Sequence, residues 1–188
     1  MASLFTHALV AASLGGTAQA DWRNRARFWL LAIFCSALPD FDVIGFDFGV
    51  RYGDLWGHRG MTHSLIFAAV VAILAAGTLG VRAGSGWKAA LLFFLITVSH
   101  GFLDAMTDGG LGVAFFSPFD TSRYFFPWRP LHVSPIGAGG FFTARGWHVL
   151  QSEIVWVWLP TLAITAVFWG WRMWRSSRPP GVRDQSPA

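Results

Sequence analysis

The sequence predicts an all-α, polytopic helical membrane protein with about five membrane-inserted segments. Three observations carry this. Hydrophobic residues make up 54% of the 188-residue chain and charged residues only 13%, against about 25% charged in soluble domains. Three apolar runs, residues 64–81, 88–105 and 154–171, approach the roughly 20 residues that a bilayer-crossing helix needs. The basic residues gather in short clusters beside those runs, where membrane orientation places them. The excess charge, +4 with a pI of about 10.2, forms no Arg/Lys stripe with interleaved aromatics. No nucleic-acid partner is therefore expected, and the lipid bilayer is the partner that composition implies.

Taken in order, residues 1–20 form an apolar stretch of small side chains suited to close helix packing. Ala18-Gln19-Ala20 has the form of a signal-peptidase site. No Lys or Arg precedes the run, however, and His7 lies within it, so a retained short helix is the preferred reading. DWRNRAR is a basic turn. Residues 28–38 form a second apolar run stopped at Pro39, which cannot continue a helix normally. At about 1.5 Å per residue this run is too short to cross alone. The LPDFD motif then either continues it irregularly or lies below the membrane surface, where protein or a watery cavity must cover it.

Residues 43–60 read as a loop rich in Gly, Asp and aromatics. Thr62 is expected to cap the next helix, with His63 in its first turn. That helix ends near Val81, and VRAGSGWK connects it to a fourth segment carrying SHGFLDAMTDGG at its far end. A long connection over residues 107–150 follows. The last apolar helix contains Pro160 and ends in WRMWRSSR. Residues 1–175 read as one membrane-embedded domain and residues 176–188 as a disordered polar tail. Cys35 is a lone buried hydrophobe with no disulfide framework. Trp22, Trp87, Trp171 and Trp174 fit an interfacial aromatic belt.

Lys and Arg alone orient the chain. Placing Arg23, Arg25 and Arg27, then Arg82 and Lys88, then Arg172, Arg175 and Arg178 in the cytoplasm needs five alternating segments with the N-terminus outside. His7, LPDFD, the HRGMTH motif and His100–Asp108 then all fall on the outer side. That convergence was not built into the rule.

These residues suit metal ligation. Nine Asp but one Glu occur, a bias toward short, rigid oxygen ligands. His100, Asp104 and Asp108 stand at four-residue steps, which share a helix face. Such groups at the mouth of an apolar helix need a metal, a proton relay or a charge partner. The expected first ligands are Asp42, His63, His100 and Asp104, with Asp40 and His58 competing for two of those places. His7 with Asp104 or Asp108 offers a second site. Zinc, with manganese as the alternative, takes such nitrogen and oxygen donors and leaves a position for water. Arg59, inside the motif, is the candidate phosphate clamp. Asp40 or Asp108, whichever is not a ligand, is the candidate base. His132 and His148 read as structural, and Asp47, Asp54 and Asp120 as loop residues.

An N-terminal TH, then LPDFD, H-R-G-x-T-H-S and SHxxLD with a following TDGG resemble the YdjM-type family of inner-membrane metal-dependent hydrolases. The resemblance covers most of residues 1–120. It implies a multi-pass protein of the bacterial inner membrane, and the Lys/Arg orientation then turns its site to the periplasmic side. A more distant similarity is to zinc-dependent bacterial phospholipases C and fungal single-strand nucleases, whose ligands run His, Asp, His, then H-x-x-x-D. Here His7, Asp40 or Asp42, His58 or His63, and His100-x-x-x-Asp104 follow that order. Their second His-x-x-x-acid motif is missing, since His148 and Glu153 are five apart. The expected function is metal-dependent hydrolysis of a phosphoester, with lipid the substrate class that a site near headgroups favours. The alternatives are an ion- or proton-coupled transporter, or a non-catalytic scaffold with a structural His/Asp cluster.

Overall fold

A computed structural model describes the chain except residues 19, 24, 81–83, 137 and 178–188. Among the described residues the regular structure is helical, with only two isolated β-bridges, Thr107 with Leu131 and Val113 with Tyr124. We label the principal helices α1 (Leu4–Gly16), α2 (Ala26–Ala37), α3 (Leu65–Leu79), α4 (Gly86–Ala105) and α5 (Ala144–Ser176), the last containing a π-helical stretch over Ile154–Trp158.

Three segments are long and apolar enough to cross a membrane: Ala26–Phe48, Gly86–Ala105 and Ala144–Ser176. Leu4–Gly16 and Leu65–Leu79 are apolar but shorter. At about 1.5 Å per residue, the 15 residues of α3 reach only about 22 Å of a roughly 30 Å hydrocarbon core. The five expected segments are thus three long helices and two short ones.

Small residues let the helices approach closely. Ala11 of α1, Ala32 and Cys35 of α2, Ala72, Ala75 and Ala76 of α3, and Ala89 of α4 are buried together around Phe28, Phe93 and Ile96. The long helix α4 is the hub, touching α1, α2 and α3. Outward-facing Leu30, Ile73 and Val167 leave an apolar rim, as lipid contact requires. Helix α5 lies along α1 with little of its surface covered.

Four local features differ from expectation. Pro39 does not end the second segment: α2 passes into a 3-10 helix, Leu38–Phe48, with Pro39 in its first turn, where its missing N–H is not needed. The loop expected over residues 43–60 therefore begins only after Phe48. Ser64, not Thr62, caps α3, accepting the Phe67 N–H at 3.1 Å. His63 stands just before the helix in a separate 3-10 turn, Met61–His63. Finally, α5 begins at Ala144, which shortens the connection expected to reach residue 150. The tail expected to be disordered lies outside the described residues from residue 178 onward.

Candidate metal centre

Four elements deliver the cluster. Helix α1 carries His7, the 3-10 helix carries Asp40 and Asp42, the turn before α3 carries His58 and His63, and α4 carries His100 and Asp104. The turn depends on its glycines. A Cβ on Gly57 would lie 2.2 Å from the Arg51 carbonyl oxygen, and one on Gly60 would lie 2.3 Å from that of Leu55. Between them Arg59 has φ +64°, a left-handed conformation that costs a non-glycine residue about 1 kcal/mol or more. Its surroundings fix it there: the Arg59 N–H donates to Asp42 Oδ2 at 3.1 Å, and its carbonyl accepts the Ala114 N–H at 3.0 Å.

His58, His63 and His100 are each held by one nitrogen, leaving the other free, whereas neither nitrogen of His7 has a partner. His100 Nδ1 lies 2.7 Å from the Ser36 carbonyl. A carbonyl only accepts, so Nδ1 carries the proton and Nε2 presents its lone pair. His58 Nδ1 donates to Asp42 Oδ1 at 2.8 Å, and His63 Nδ1 lies 3.3 Å from Asp42 Oδ2. Thr62 Oγ1 also donates to Asp42 Oδ2, at 2.7 Å. Asp42 therefore orients two candidate ligand rings, the part that carboxylates commonly play behind metal-bound histidines.

The free nitrogens meet two carboxylates. His100 Nε2 is 3.2 Å from Asp40 Oδ1 and 4.0 Å from Asp104 Oδ2; His63 Nε2 is 3.7 and 3.6 Å from the same atoms. A tetrahedral ion with bonds of about 2.1 Å spaces its ligands about 3.4 Å apart. The tetrad Asp40, His63, His100 and Asp104 fits that spacing. A second set, Asp42 with His58 and His63, has ligand atoms within the same 4.8 Å spread, but Asp42 is already engaged as described. His7 stacks on His100, rings 3.7 Å apart and 9° from parallel, with its Nε2 3.6 Å from Asp104 Oδ1.

Buried polar groups are normally hydrogen-bonded. Of nine buried side-chain nitrogens and oxygens without a partner among the described residues, seven belong to this cluster: both nitrogens of His7, both oxygens of Asp40, and Nε2 of His58, His63 and His100. A cation that accepts several lone pairs at once would satisfy this concentration of atoms. The donor set of imidazole nitrogens and carboxylate oxygens suits zinc or manganese.

Charge is balanced locally. Arg59, with no exposed surface, donates from Nε to Asp104 Oδ2 (3.1 Å), from Nη1 to the Gly109 carbonyl (2.9 Å) and from Nη2 to Thr107 Oγ1 (2.9 Å). Asp104 Oδ1 accepts the Ala2 N–H at 2.7 Å. For His63, burial opposes the charged form, but the surrounding carboxylates of Asp104, Asp40 and Asp42 outweigh it and raise the pKa to about 10. That imidazolium holds the place of a cation among three acids.

Two expected roles need correction. Arg59 does not face an opening as a phosphate clamp, because its guanidinium is wholly enclosed against Asp104, Thr107 and Gly109. It holds a candidate ligand in place. Asp108 lies outside the cluster: α4 ends at Ala105, so the four-residue spacing no longer keeps it on the Asp104 face. Its Oδ2 accepts from His132 Nδ1 and its Oδ1 from the Val133 N–H, both at 2.8 Å. Burial works against its charge, but the His132 and Val133 bonds hold the carboxyl below its usual range.

Glu153 is a contributor that sequence reasoning passed over. Fully buried on α5, it accepts from the Ser3 N–H, the Ser3 hydroxyl and the Thr6 hydroxyl. Trp158 Nε1 donates to the same Thr6 oxygen at 2.6 Å. These bonds anchor the start of α1, and so the Ala2 N–H and His7. Its only sequence signal was that it is the chain's single Glu.

Comparison with known proteins agrees with this architecture. The family described as "YdjM inner membrane protein" matches residues 1–177. The inner membrane protein YbcI of Escherichia coli (strain K12) is 39% identical over 179 residues, covering 92% of this chain and 99% of that protein. No solved structure matches the chain. The chain belongs to the YdjM inner membrane protein family.

Proposed function

We propose that this YdjM-family protein is a metal-dependent hydrolase that cleaves a phosphoester, with lipid the favoured substrate class, at the periplasmic surface of the inner membrane. The observation that carries the reading is the convergence of Nε2 of His63 and His100 with unpartnered oxygens of Asp40 and with Asp104 in one buried cluster. Zinc or manganese held there would supply Lewis acidity to a water and to a phosphoryl oxygen. The chain's own groups set up the rest. Asp42 fixes the rings of His58 and His63, Ser36 fixes His100, and Arg59 offsets the charge of Asp104.

Asp40 has a different part. Its side chain is the least enclosed of the five, keeping 10% exposure where those of His7, His63, His100 and Asp104 have none, although both of its oxygens are themselves buried. Neither of its oxygens is hydrogen-bonded. With one oxygen toward His100 and His63, the other can take the proton from an attacking water, as a general base must. The Lys/Arg pattern supports placing the cluster at the headgroup level of the outer side. The same pattern leaves the carboxylates at one end of the bundle, whereas a transport path places ionisable groups near the midplane.

The test is turnover. The purified protein, stripped by chelator and reloaded with zinc or manganese, is assayed on chromogenic phosphodiesters and on phospholipid vesicles. Hydrolysis restored by metal, and lost in His100→Gln with the fold retained, supports the reading. A metal-loaded protein inert toward every phosphoester overturns it.

A further inference from the structure

A second polar site lies on the far side of the Thr107–Gly109 turn. A cleft of about 480 Å³ is lined by Asp108, His132 and Val133 on one wall and Arg145, His148 and Val149 on the other. We propose that this cleft binds a phosphate group, and that Arg145 and His148 are its donors, with His132 held beside them by Asp108.

The single acid in the cleft is already satisfied. Asp108 accepts from His132 Nδ1 and from the Val133 N–H, so both of its oxygens are engaged within its own wall. The bond also fixes the His132 ring and leaves Nε2 as its uncommitted nitrogen, while the His132 N–H is tied to Ser152 Oγ at 3.0 Å. On the facing wall, Arg145 and His148 have no hydrogen bond, ion pair or ring contact among the described residues. One free guanidinium and the His148 imidazole therefore face a shared concavity whose carboxylate is already hydrogen-bonded. Arg recognises phosphate through its planar fork of donors, and a tetrahedral anion has enough oxygens to accept from Arg145 and His148 at once. The cleft exceeds what a bare phosphate fills, which leaves space for the group it is esterified to.

The position also fits a membrane phosphate. Arg145 and His148 stand in the first turns of α5, whose 33 residues are apolar enough to cross the bilayer. Exposed Trp147 lies between them, and Trp128 packs edge-on against Trp156 at 5.0 Å. Tryptophans of this kind collect at headgroup depth. The site is independent of the metal cluster. Its closest tie runs through the backbone, where Thr107 Oγ1 accepts from Arg59 and the next residue is Asp108.

The experiment uses full-length protein, treated with chelator, in phosphatidylcholine nanodiscs, so that the metal cluster makes no contribution. Glycerol 3-phosphate is titrated and followed by ³¹P NMR. In a parallel arm, phosphatidylglycerol is included in the nanodiscs and its retention is read by native mass spectrometry. Wild type is compared with Arg145→Gln, His148→Gln and the control Arg51→Gln, which are all exposed positions. Thermal unfolding checks that each is folded. The proposal predicts binding in at least one arm, weakened at least tenfold by Arg145→Gln and by His148→Gln but not by the control. Binding of glycerol 3-phosphate identifies a soluble phosphoester as the ligand; retention of phosphatidylglycerol alone identifies a lipid headgroup. No binding in either arm, or binding that both cleft variants retain, overturns it.

Discussion

Replacing Asp42 by Asn separates holding a metal from orienting its ligands. Asp42 serves four neighbours: His58 Nδ1 on one oxygen, and the Arg59 N–H, the Thr62 hydroxyl and His63 Nδ1 on the other. Asparagine has the same shape but only one acceptor oxygen. If that oxygen faces His58, the new NH₂ confronts three groups that were donating. If it is flipped, His58 must move its proton to Nε2 and loses the lone pair aimed at the cluster. Either way an imidazole loses its orienting acceptor. Such losses weaken metal binding about 10- to 100-fold, or about 1.4–2.8 kcal/mol. The metal-free protein also loses one or two buried hydrogen bonds, about 1–3 kcal/mol. The assay is zinc competition against a chelator of known affinity, alongside thermal unfolding, with Asp104→Asn as the comparison. Unchanged affinity in Asp42→Asn would refute the orienting role. A loss as complete as that of Asp104→Asn would make Asp42 a ligand instead.

Other outcomes follow from the same geometry. Arg59→Gln leaves Asp104 buried without its counter-charge and is expected to lose about 3–5 kcal/mol in thermal or denaturant unfolding; Arg59→Lys falls between it and wild type, since one ammonium cannot span three acceptors. Gly60→Ala forces a Cβ to within 2.3 Å of the Leu55 carbonyl and should abolish metal retention, whereas Gly77→Ala, with open space around it on α3, should unfold no earlier than wild type. Because the His63 pKa in the folded, metal-free protein is raised above 6.5, to about 10, its contribution to stability is complete below about pH 6.5 and fades as pH rises toward 10. Metal must displace that proton, so zinc affinity should rise with pH over the same window, by up to about tenfold per unit. Glu153→Gln weakens the anchoring of Ser3 and Thr6 and should lower the melting temperature by several degrees, read by differential scanning fluorimetry.

The parts of this molecule visible in its sequence are those governed by local spacing or simple chemistry. Apolar length marks α3 and α4 because each is a continuous helix. His100 and Asp104 are legible because four residues bring them to one face of α4, and the Lys/Arg pattern put the remaining His and Asp motifs at the same end. What escaped reading depends on distant partners. Pro39 starts a 3-10 helix instead of stopping α2, an outcome its own sequence leaves open. Thr62 and Ser64 are both good caps two residues apart, and the choice falls to Ser64 because Thr62 is spent on Asp42. Asp108 pairs with His132, 24 residues away, and Glu153 with Ser3, 150 residues away; no periodicity reports such pairs. The mixed polar composition of residues 144–153 hid the first turns of α5.

Metal content measured on the intact protein bears most directly on the central assertion. Wild type, His100→Ala and Asp104→Ala are purified in detergent without chelator, shown to be folded, and analysed by elemental mass spectrometry. At least one equivalent of zinc or manganese in wild type, missing from both variants, is the result this account predicts. Wild type that holds no metal even after incubation with zinc and manganese would contradict it, leaving the unpartnered atoms of His7, Asp40, His63 and His100 without the cation that explains them.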